Sequence, residues 1–485
     1  MTMRLSVFIA SLFLSTSLFA QAGNACEITI RTNYPDSTIF LGSYYGKKMI
    51  VIDSVTANSK GEAIFSRDKK FPEGIYFGVS PDKRMKLCEF LVDDIQHFTV
   101  QDKPSRPGVI ESTGSPDNEL YAAYTDFVND ISGKINNLQQ SLKTAASKAD
   151  SAHISAELKA EGAKLVGYRS RVITEHPNSL LAKLLQIAQV PEAPEMPVLA
   201  NGKKDSAYPF YYVKEHYWDD VDFYNDICLR TPFFEPKMDD YFKYYVSPDP
   251  DSIISEVNYI LLSARAGDDM FRFLLGKFTD KYINPTYMGQ DKVFLFLFEN
   301  YFTRGDTAWL NDKQKKYIFD RGYSLMANQL GDYAPQLNVY DTLGNAVSLY
   351  KIKSPYTFVA FWDPHCSHCK LQVPRVDSFY EAKWKKEGVA VLAVCVNNEV
   401  LPDWKKFIIE NKLAGWIHTY EPDEIMEAQE KAGQPGFHQL FDIQQTPTFY
   451  LLDEDKRIIA KSLTIDQFDT LLDNKIKLKN TEVSQ

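Results

Sequence analysis

Residues 357–374 read TFVAFWDPHCSHCKLQVP, and this stretch decides the fold of the C-terminal part of the chain. An apolar, β-rich run at 357–362 is followed by a short polar turn and then by Cys366 and Cys369, which open a segment that can be helical. Residues i and i+3 share one face of a helix, so the two sulfurs can reach each other. The first thiol also lies beside unpaired N–H groups at the positive end of the helix dipole, which stabilise a thiolate. The pattern therefore predicts a thiol–disulfide site at a strand-to-helix junction.

The beginning of the chain, residues 1–22, has the composition of a signal peptide. Arg4 supplies a positive end, residues 5–19 form a short apolar run, and Ala20-Gln21-Ala22 fits a small-x-small cleavage site. The apolar run is too short to span a bilayer comfortably, and no later stretch is long and apolar enough to be a transmembrane helix. We therefore expect an exported protein of the periplasm.

Length and charge restrict the classes of protein that the chain can be. Its 485 residues are too many for one hydrophobic core, and about three domains are expected. The formal net charge is −10 and no basic patch stands out, which argues against a nucleic acid partner. The composition leaves the oligomeric state open.

The cysteines are distributed unevenly, although export implies an oxidising compartment. One close pair stands apart from four scattered residues, which are Cys26, Cys88, Cys228 and Cys395. A bridge between Cys26 and Cys88 is left open. Lipid attachment at Cys26 is a second open alternative, although the usual leucine three residues before the cysteine is missing. Cys395 lies in an apolar run and is expected to be a buried free thiol.

Changes in composition divide the rest of the chain into three predicted domains. Residues 23–112 are expected to form a small antiparallel, sandwich-like β domain, because β-rich runs alternate with turn residues at a spacing of about ten. The runs are 26–31, 38–44, 49–55, 62–66 and 75–79. Residues 113–330 are expected to form an α-helical domain, since apolar residues recur at helical spacing. Residues 331–485 alternate strands and helices, which predicts an α/β domain with helices on both faces of its sheet.

Three features in register with the cysteine pair carry a resemblance to a known family. Trp362 lies four residues before the first cysteine, Pro374 lies five residues after the second, and Thr446-Pro447-Thr448 precedes a predicted strand. Residues 331–485 thereby resemble a thioredoxin fold, in the exported TlpA/ResA-like branch of thiol–disulfide oxidoreductases. The β and helical domains in front of it resemble a recurrent arrangement in exported proteins of Gram-negative bacteria.

The resemblance implies a role for each of the matching residues. Cys366 would attack a substrate disulfide, and Cys369 would resolve the mixed disulfide. The Thr446–Pro447 peptide bond is expected to be cis, in a loop that abuts the cysteines and offers backbone groups to an extended substrate. Trp362 is expected to pack beneath the site. The implied partners are protein disulfides and a membrane-bound electron donor, and the dithiol chemistry needs no cofactor.

The residues around the pair leave the direction of the reaction open. His368 gives a dipeptide that resembles the Pro-His of strong oxidants. Together with His365 it is expected to favour an acidic Cys366 thiol and a less reducing potential. Members of the branch mostly act as reductases, and reduction is the preferred interpretation, with an oxidant or isomerase as the alternative. Ala360 takes the place of the buried acid of thioredoxin, so the proton acceptor for the second thiol must lie elsewhere or be water.

Two further interpretations compete for the same residues. His365, His368 and the two cysteines offer four ligands for zinc or copper, but one tight turn cannot wrap all four around a tetrahedral centre. No metal site is therefore predicted. The other interpretation is a non-enzymatic envelope binding protein, in which residues 23–330 do the work and the C-terminal domain is a redox-sensing or metal-binding appendage. It requires the cysteine pair to be dispensable.

Overall fold

The computed structural model describes residues 25–483, so the predicted signal segment 1–22 lies outside the described residues. The chain divides into two compact units, one ending at Tyr245 and the other beginning at Val246. This division falls inside residues 113–330, which the sequence assigns to one helical domain, and the three-domain division stays a prediction. In the part of the chain that the structure describes, no helix combines the length and apolar character needed to cross a membrane.

Strands form two sheets in the described part of the first unit. They are β1 (Cys26–Arg31), β2 (Thr38–Tyr45), β3 (Lys48–Thr56), β4 (Glu62–Arg67), β5 (Gly74–Val79), β6 (Lys86–Val92), β7 (His97–Asp102) and β8 (Ile110–Thr113). The strand orders are β4-β1-β7-β8 and β3-β2-β5-β6. The expectation of a wholly antiparallel domain is wrong at one ladder, because β1 and β7 pair in parallel. Between these two strands the chain crosses to the other sheet and returns twice, which provides the long connection that parallel pairing needs.

Helices follow the β strands in the first unit, and serine residues fix where several of them begin. They are α1 (Pro116–Lys143), α2 (Lys148–Glu175), α3 (Leu180–Ala188), α4 (Tyr208–Glu215) and α5 (Phe234–Tyr244). The side chains of Ser115, Ser147 and Ser179 each accept a hydrogen bond from a backbone N–H of the following first turn. Such N-caps satisfy amide groups that otherwise have no partner in the helix.

Polar side chains fasten α1 to β6. Asn118 accepts a hydrogen bond from the Leu91 backbone N–H at 2.7 Å and donates to the Leu91 carbonyl at 2.8 Å. The Glu89 carboxylate accepts hydrogen bonds from the hydroxyls of Tyr121 at 2.6 Å and Tyr44 at 2.8 Å. The first helices of the predicted helical domain therefore belong to the same compact unit as the β strands.

The described part of the second unit begins with helices and continues into a seven-stranded sheet. The first helices are α6 (Pro250–Ser263), α7 (Asp268–Tyr282), α8 (Asp291–Leu297) and α9 (Asp312–Leu325). The strands are β9 (Val339–Asp341), β10 (Ala346–Val347), β11 (Tyr356–Trp362), β12 (Val389–Cys395), β13 (Ile417–Tyr420), β14 (Thr448–Leu452) and β15 (Ile458–Lys461), in the order β10-β9-β13-β12-β11-β14-β15. The later helices are α10 (Ser367–Phe379), α11 (Leu401–Glu410), α12 (Asp423–Lys431), α13 (Phe437–Leu440) and α14 (Ile465–Val483).

Strand β11 lies inside the α/β sheet between β12 and β14, and both of its faces are buried. Phe358 and Trp362 point into a core that also contains Val373 of α10. Phe361 points into a second core, on the other face, that contains Phe437 of α13. Burying a side chain of this size stabilises the fold by about 1.5–3 kcal/mol. The prediction of an α/β sheet covered by helices on both faces is confirmed.

A buried ion pair joins the sheet to the helices that precede it. The Lys461 ammonium group at the end of β15 donates to the Asp291 carboxylate at 2.6 Å, to the Asn328 carbonyl at 2.7 Å and to the Asn328 side-chain oxygen at 2.8 Å. All three ammonium protons therefore have acceptors. The side chains of Lys461 and Asp291 are each only 6% exposed, so this pair lies in the interior of the unit.

Candidate active site

The cysteine pair lies where the carboxyl ends of three parallel strands meet at one edge of the sheet. Trp362 of β11 pairs in register with Cys395 of β12, and Cys395 pairs with Tyr420 of β13. A turn of three residues follows Trp362. Cys366 is then the N-cap residue of α10, and Cys369 lies in the first turn of that helix. The predicted strand-to-helix junction is confirmed.

Asp363 holds the turn in place. Its carboxylate accepts a hydrogen bond from the His365 backbone N–H at 2.6 Å and from the Asn397 side-chain amide at 3.2 Å. Its carbonyl accepts from the Cys366 backbone N–H at 3.1 Å. No role was predicted for Asp363 from the sequence, although an aspartate directly before a proline at a strand end is a typical turn signal.

Cys366 is half-buried, and its thiol donates a hydrogen bond to the Thr446 carbonyl at 3.2 Å. Partial burial raises the pKa of this thiol, but hydrogen bonds from the Thr446 side chain, from the Cys369 thiol and from the backbone N–H groups of Cys369 and His368 outweigh burial. The pKa of Cys366 therefore lies below that of an ordinary thiol. The N–H groups of the first helical turn act here as expected for a thiolate at a helix N-terminus.

Cys369 differs from Cys366 in being fully buried, in the same core as Trp362. Burial raises the pKa of the Cys369 thiol to about 12, although a hydrogen bond from the Asp363 backbone N–H acts in the opposite direction. The two thiols thus have opposite properties. One is accessible and easily ionised, and the other is inaccessible and protonated.

The loop at Thr446–Pro447 lies against the cysteines. Its peptide bond is cis, as expected. Trp362 is fully buried beneath the site, and its ring lies 5.2 Å from that of Phe407 on α11, measured between centroids. Its indole N–H has no hydrogen-bond partner among the described residues. Of the predicted site residues, Trp362, Thr446 and Pro447 are therefore brought together with the two cysteines.

The two histidines beside the cysteines have different surroundings. The His365 ring lies 2.8 Å from the carboxylate of Asp403 on α11, measured from Nε2 to Oδ2. The His368 side chain is exposed, and this residue acts on Cys366 through its backbone N–H. Neither imidazole is among the main causes that lower the pKa of Cys366. Ala360 is fully buried in the core that contains Cys369.

Two family models match the chain. Residues 143–326 match a domain of unknown function, DUF5106, and residues 330–461 match the AhpC/TSA family. The chain also shares 31% identity with a domain of a possible thiol-disulfide isomerase from Cytophaga hutchinsonii, covering 31% of this chain and 96% of that one with a TM-score of 0.26. This C-terminal part of the chain belongs to the thioredoxin-like thiol–disulfide oxidoreductases.

Further similarities concern the thioredoxin-like domain and part of the chain before it. The thioredoxin domain of a thiol-disulfide oxidoreductase from Bacteroides vulgatus is 29% identical, over 30% of this chain and 96% of that one, with a TM-score of 0.24. A thioredoxin-like protein from Bacteroides caccae is 18% identical, over 57% of this chain and 96% of that one, with a TM-score of 0.44. A comparison with curated proteins finds no match.

Possible metal ligands around the thioredoxin-like site are His365, His368 and the two cysteines. Within residues 25–483, no three side chains of histidine, cysteine, aspartate or glutamate lie close enough together to hold a metal ion. At the cysteine pair, the His365 ring is engaged by Asp403.

The six cysteines of the protein are expected to differ sharply in their reaction with a neutral alkylating agent. Burial raises the pKa of Cys88, Cys228, Cys369 and Cys395 to about 12, and burial also raises the pKa of Cys26. Brief treatment of the folded, reduced protein with iodoacetamide should therefore modify Cys366 alone. With rising pH, the rate of Cys366 modification should reach its plateau at a lower pH than the modification rate of an ordinary thiol. Peptide mass spectrometry checks the site, and equal labelling of a buried cysteine would contradict the assignment.

Proposed function

We propose that the protein is an exported thiol–disulfide oxidoreductase that reduces or exchanges disulfides of envelope proteins through the Cys366 and Cys369 dithiol. The observation that carries the proposal is the contrast between the two thiols. Cys366 is half-buried and its pKa lies below that of an ordinary thiol, whereas Cys369, in the first turn of α10, is fully buried and its pKa is raised to about 12. An attacking thiol and a resolving thiol are expected to differ in this way.

The proposed reaction has two exchange steps. The Cys366 thiolate attacks one sulfur of the substrate disulfide, which forms a mixed disulfide and releases the other substrate sulfur as a thiolate that takes up a proton. The Cys369 thiol then loses its proton and attacks the Cys366 sulfur, which releases the second substrate thiol. The substrate has gained two electrons and two protons, and the pair ends as a disulfide. A membrane-bound dithiol donor would return the pair to the reduced state.

The loop at Thr446 supports the proposed mode of substrate binding. Its carbonyl lies 3.2 Å from the Cys366 sulfur, so the loop borders the attacking atom. An extended substrate segment beside the thiol would therefore lie against the backbone of Thr446 and Pro447. A loop of this kind best fits protein disulfides in flexible segments, because such segments can adopt an extended conformation beside it.

Export is proposed from the composition of residues 1–22, with the periplasm as the compartment.

Lipid attachment at Cys26 is not part of the proposal. Cys26 is fully buried in β1, and its thiol donates a weak hydrogen bond to the Phe65 carbonyl at 3.9 Å. A thioether-linked lipid on this sulfur would have to displace that packing. Cys26 and Cys88 are both buried, as free thiols.

Capture of substrates tests the proposed function. A Cys369→Ser variant keeps the attacking thiol but cannot resolve the mixed disulfide, so it should accumulate covalent adducts with envelope proteins that dithiothreitol releases. The matched control is the variant that also carries Cys366→Ser, which should capture nothing. If Cys369→Ser yields no more adducts than this control, under conditions that trap substrates of a known thioredoxin-like protein, the proposal is wrong.

A further inference from the structure

Strand β3 is an exposed edge strand of the first unit. Among the described strands it pairs only with β2, so its other side presents backbone N–H and C=O groups to solvent. Four consecutive apolar side chains of β3 are 63%, 39%, 50% and 38% exposed, in the order Met49, Ile50, Val51 and Ile52. They lie on both faces, because successive side chains of a strand point to opposite faces. A long, apolar and exposed edge of this kind is a surface to which another strand adds.

The start of β3 is held in place by the turn that joins it to β2. The Gly46 backbone N–H donates to the Leu229 carbonyl at 2.8 Å, and the Lys47 backbone N–H donates to the Glu235 carboxylate at 2.7 Å. The Lys47 ammonium group pairs with Asp239. The edge is therefore formed before any partner arrives, which lowers the entropic cost of binding.

A bulge decides which side chains of β3 share a face. The pairing with β2 skips Ile52, which is the extra residue of the bulge. The extra residue shifts the alternation by one position, so Lys48, Ile50 and Asp53 lie on the same face of the strand. Opposite charges thus lie on either side of Ile50, each two pairing positions away from it.

These two charges are the ones that the edge offers to a partner. Lys48 is exposed, whereas the ammonium group of Lys47 before it is already paired with Asp239. The Asp53 carboxylate accepts a hydrogen bond from the Ser54 backbone N–H at 2.8 Å, and a carboxylate can accept several more. A partner strand that runs antiparallel to β3 should therefore carry an acid opposite Lys48 and a base opposite Asp53.

We propose that this partner is β3 of a second copy of the chain, paired antiparallel about a twofold axis at Ile50. In this register Lys48 of each copy lies opposite Asp53 of the other copy, and Met49 lies opposite Val51. Moving the axis by one position in either direction would place Lys48 or Asp53 opposite Ile50. The edge is thus complementary to itself, as a twofold interface requires. The inference goes beyond the proposed function and brings two dithiols into one particle.

The dimer is expected to be reversible and dependent on concentration. Pairing through one strand buries less than the roughly 1,200 Å² of total surface at which stable complexes begin. Its stability should respond strongly to the charges, because like charges directly opposite one another destabilise a strand pair. Each substitution acts twice in a symmetric dimer, so a reversed charge should weaken the dimer by about tenfold or more.

Sedimentation velocity of the full chain under reducing conditions tests the inference. The wild type should pass from monomer to dimer as its concentration rises to about 0.2 mM. Lys48→Glu and Asp53→Lys each oppose like charges, so each variant alone should dimerise about tenfold more weakly or not at all. An equimolar mixture of the two variants should dimerise again, because every acid then lies opposite a lysine. A variant that carries both substitutions should dimerise like the wild type.

Ile64→Lys is the matched control for Ile50→Lys. The two isoleucines are 43% and 39% exposed, but Ile64 lies on β4 in the other sheet. Ile50→Lys should abolish the dimer by placing two lysines at the axis, whereas Ile64→Lys should leave it unchanged. Circular dichroism checks that each variant is folded.

Three results would overturn the inference. They are a wild type that stays monomeric over this range, a mixture that associates no better than either variant alone, and equal effects of Ile50→Lys and Ile64→Lys. The capture of substrates by Cys369→Ser does not depend on β3, so failure of this inference is distinguishable from failure of the proposed function.

Discussion

Replacing Cys366 by serine is expected to abolish disulfide exchange catalysed by this protein. A serine hydroxyl is not ionised at neutral pH and cannot form the mixed disulfide, so reduction of insulin by dithiothreitol should fall to the uncatalysed rate. Cys369→Ser should also stop turnover, but after the first step, because the attacking thiol remains. The turbidity of precipitating insulin chains measures the rate in each case.

Cys395→Ser is the control for this experiment. Cys395 lies in the same core as Cys369 and is buried, and burial raises the pKa of its thiol to about 12. Its replacement should leave the catalysed rate close to that of the wild type. Full activity in Cys366→Ser, or loss of activity in Cys395→Ser from a correctly folded protein, would place the chemistry on another cysteine.

Replacing Asp291 by alanine is expected to destabilise the second unit by about 3–5 kcal/mol. The variant leaves the buried Lys461 ammonium group without a counter-charge, with only the two oxygens of Asn328 as partners. Removing one partner of a buried pair costs far more than the pair contributes, because the remaining charge stays out of water. Urea-induced unfolding, followed by tryptophan fluorescence, measures the change.

A neighbouring surface pair provides the control. Lys292 lies 2.6 Å from Asp251, but these side chains are 51% and 71% exposed, against 6% for each member of the buried pair. Asp251→Ala should therefore change the free energy of unfolding by at most about 1 kcal/mol. Equal effects of Asp251→Ala and Asp291→Ala would show that burial of Lys461 does not set the energy of its ion pair.

The parts of the fold that the sequence predicts well are those fixed by local patterns. Strand β11 and the helix start at Cys366 follow from an apolar run, a turn and a cysteine spacing that lie next to one another. The cis bond before Pro447 was expected from a short motif before a strand. The strands β6 to β8 were not among the predicted runs. In β6 the alternation of apolar and polar residues is interrupted at Glu89. Its partly buried carboxylate accepts hydrogen bonds from two tyrosine hydroxyls.

The features that could not be predicted from the sequence are contacts between residues far apart in the chain. The ring of His365 pairs with a carboxylate 38 residues away, which the sequence around Cys366 does not predict. Lys461 and Asp291 are 170 residues apart, and nothing in the local sequence marks either as buried. Such pairings appear only once the helices are packed on the sheet, because the local sequence around each partner is that of an ordinary surface residue.

The reduction potential of the Cys366 and Cys369 pair tests the central claim most directly. The full chain would be equilibrated with graded mixtures of reduced and oxidised glutathione at neutral pH, and the disulfide identified by mass spectrometry of the linked peptide. We expect one two-electron transition that joins Cys366 to Cys369, with a potential near the roughly −270 mV of thioredoxin. A value near the roughly −120 mV of a strong oxidant would contradict the reductive direction. Failure of these two cysteines to form a disulfide at any ratio would contradict the assignment of the site itself.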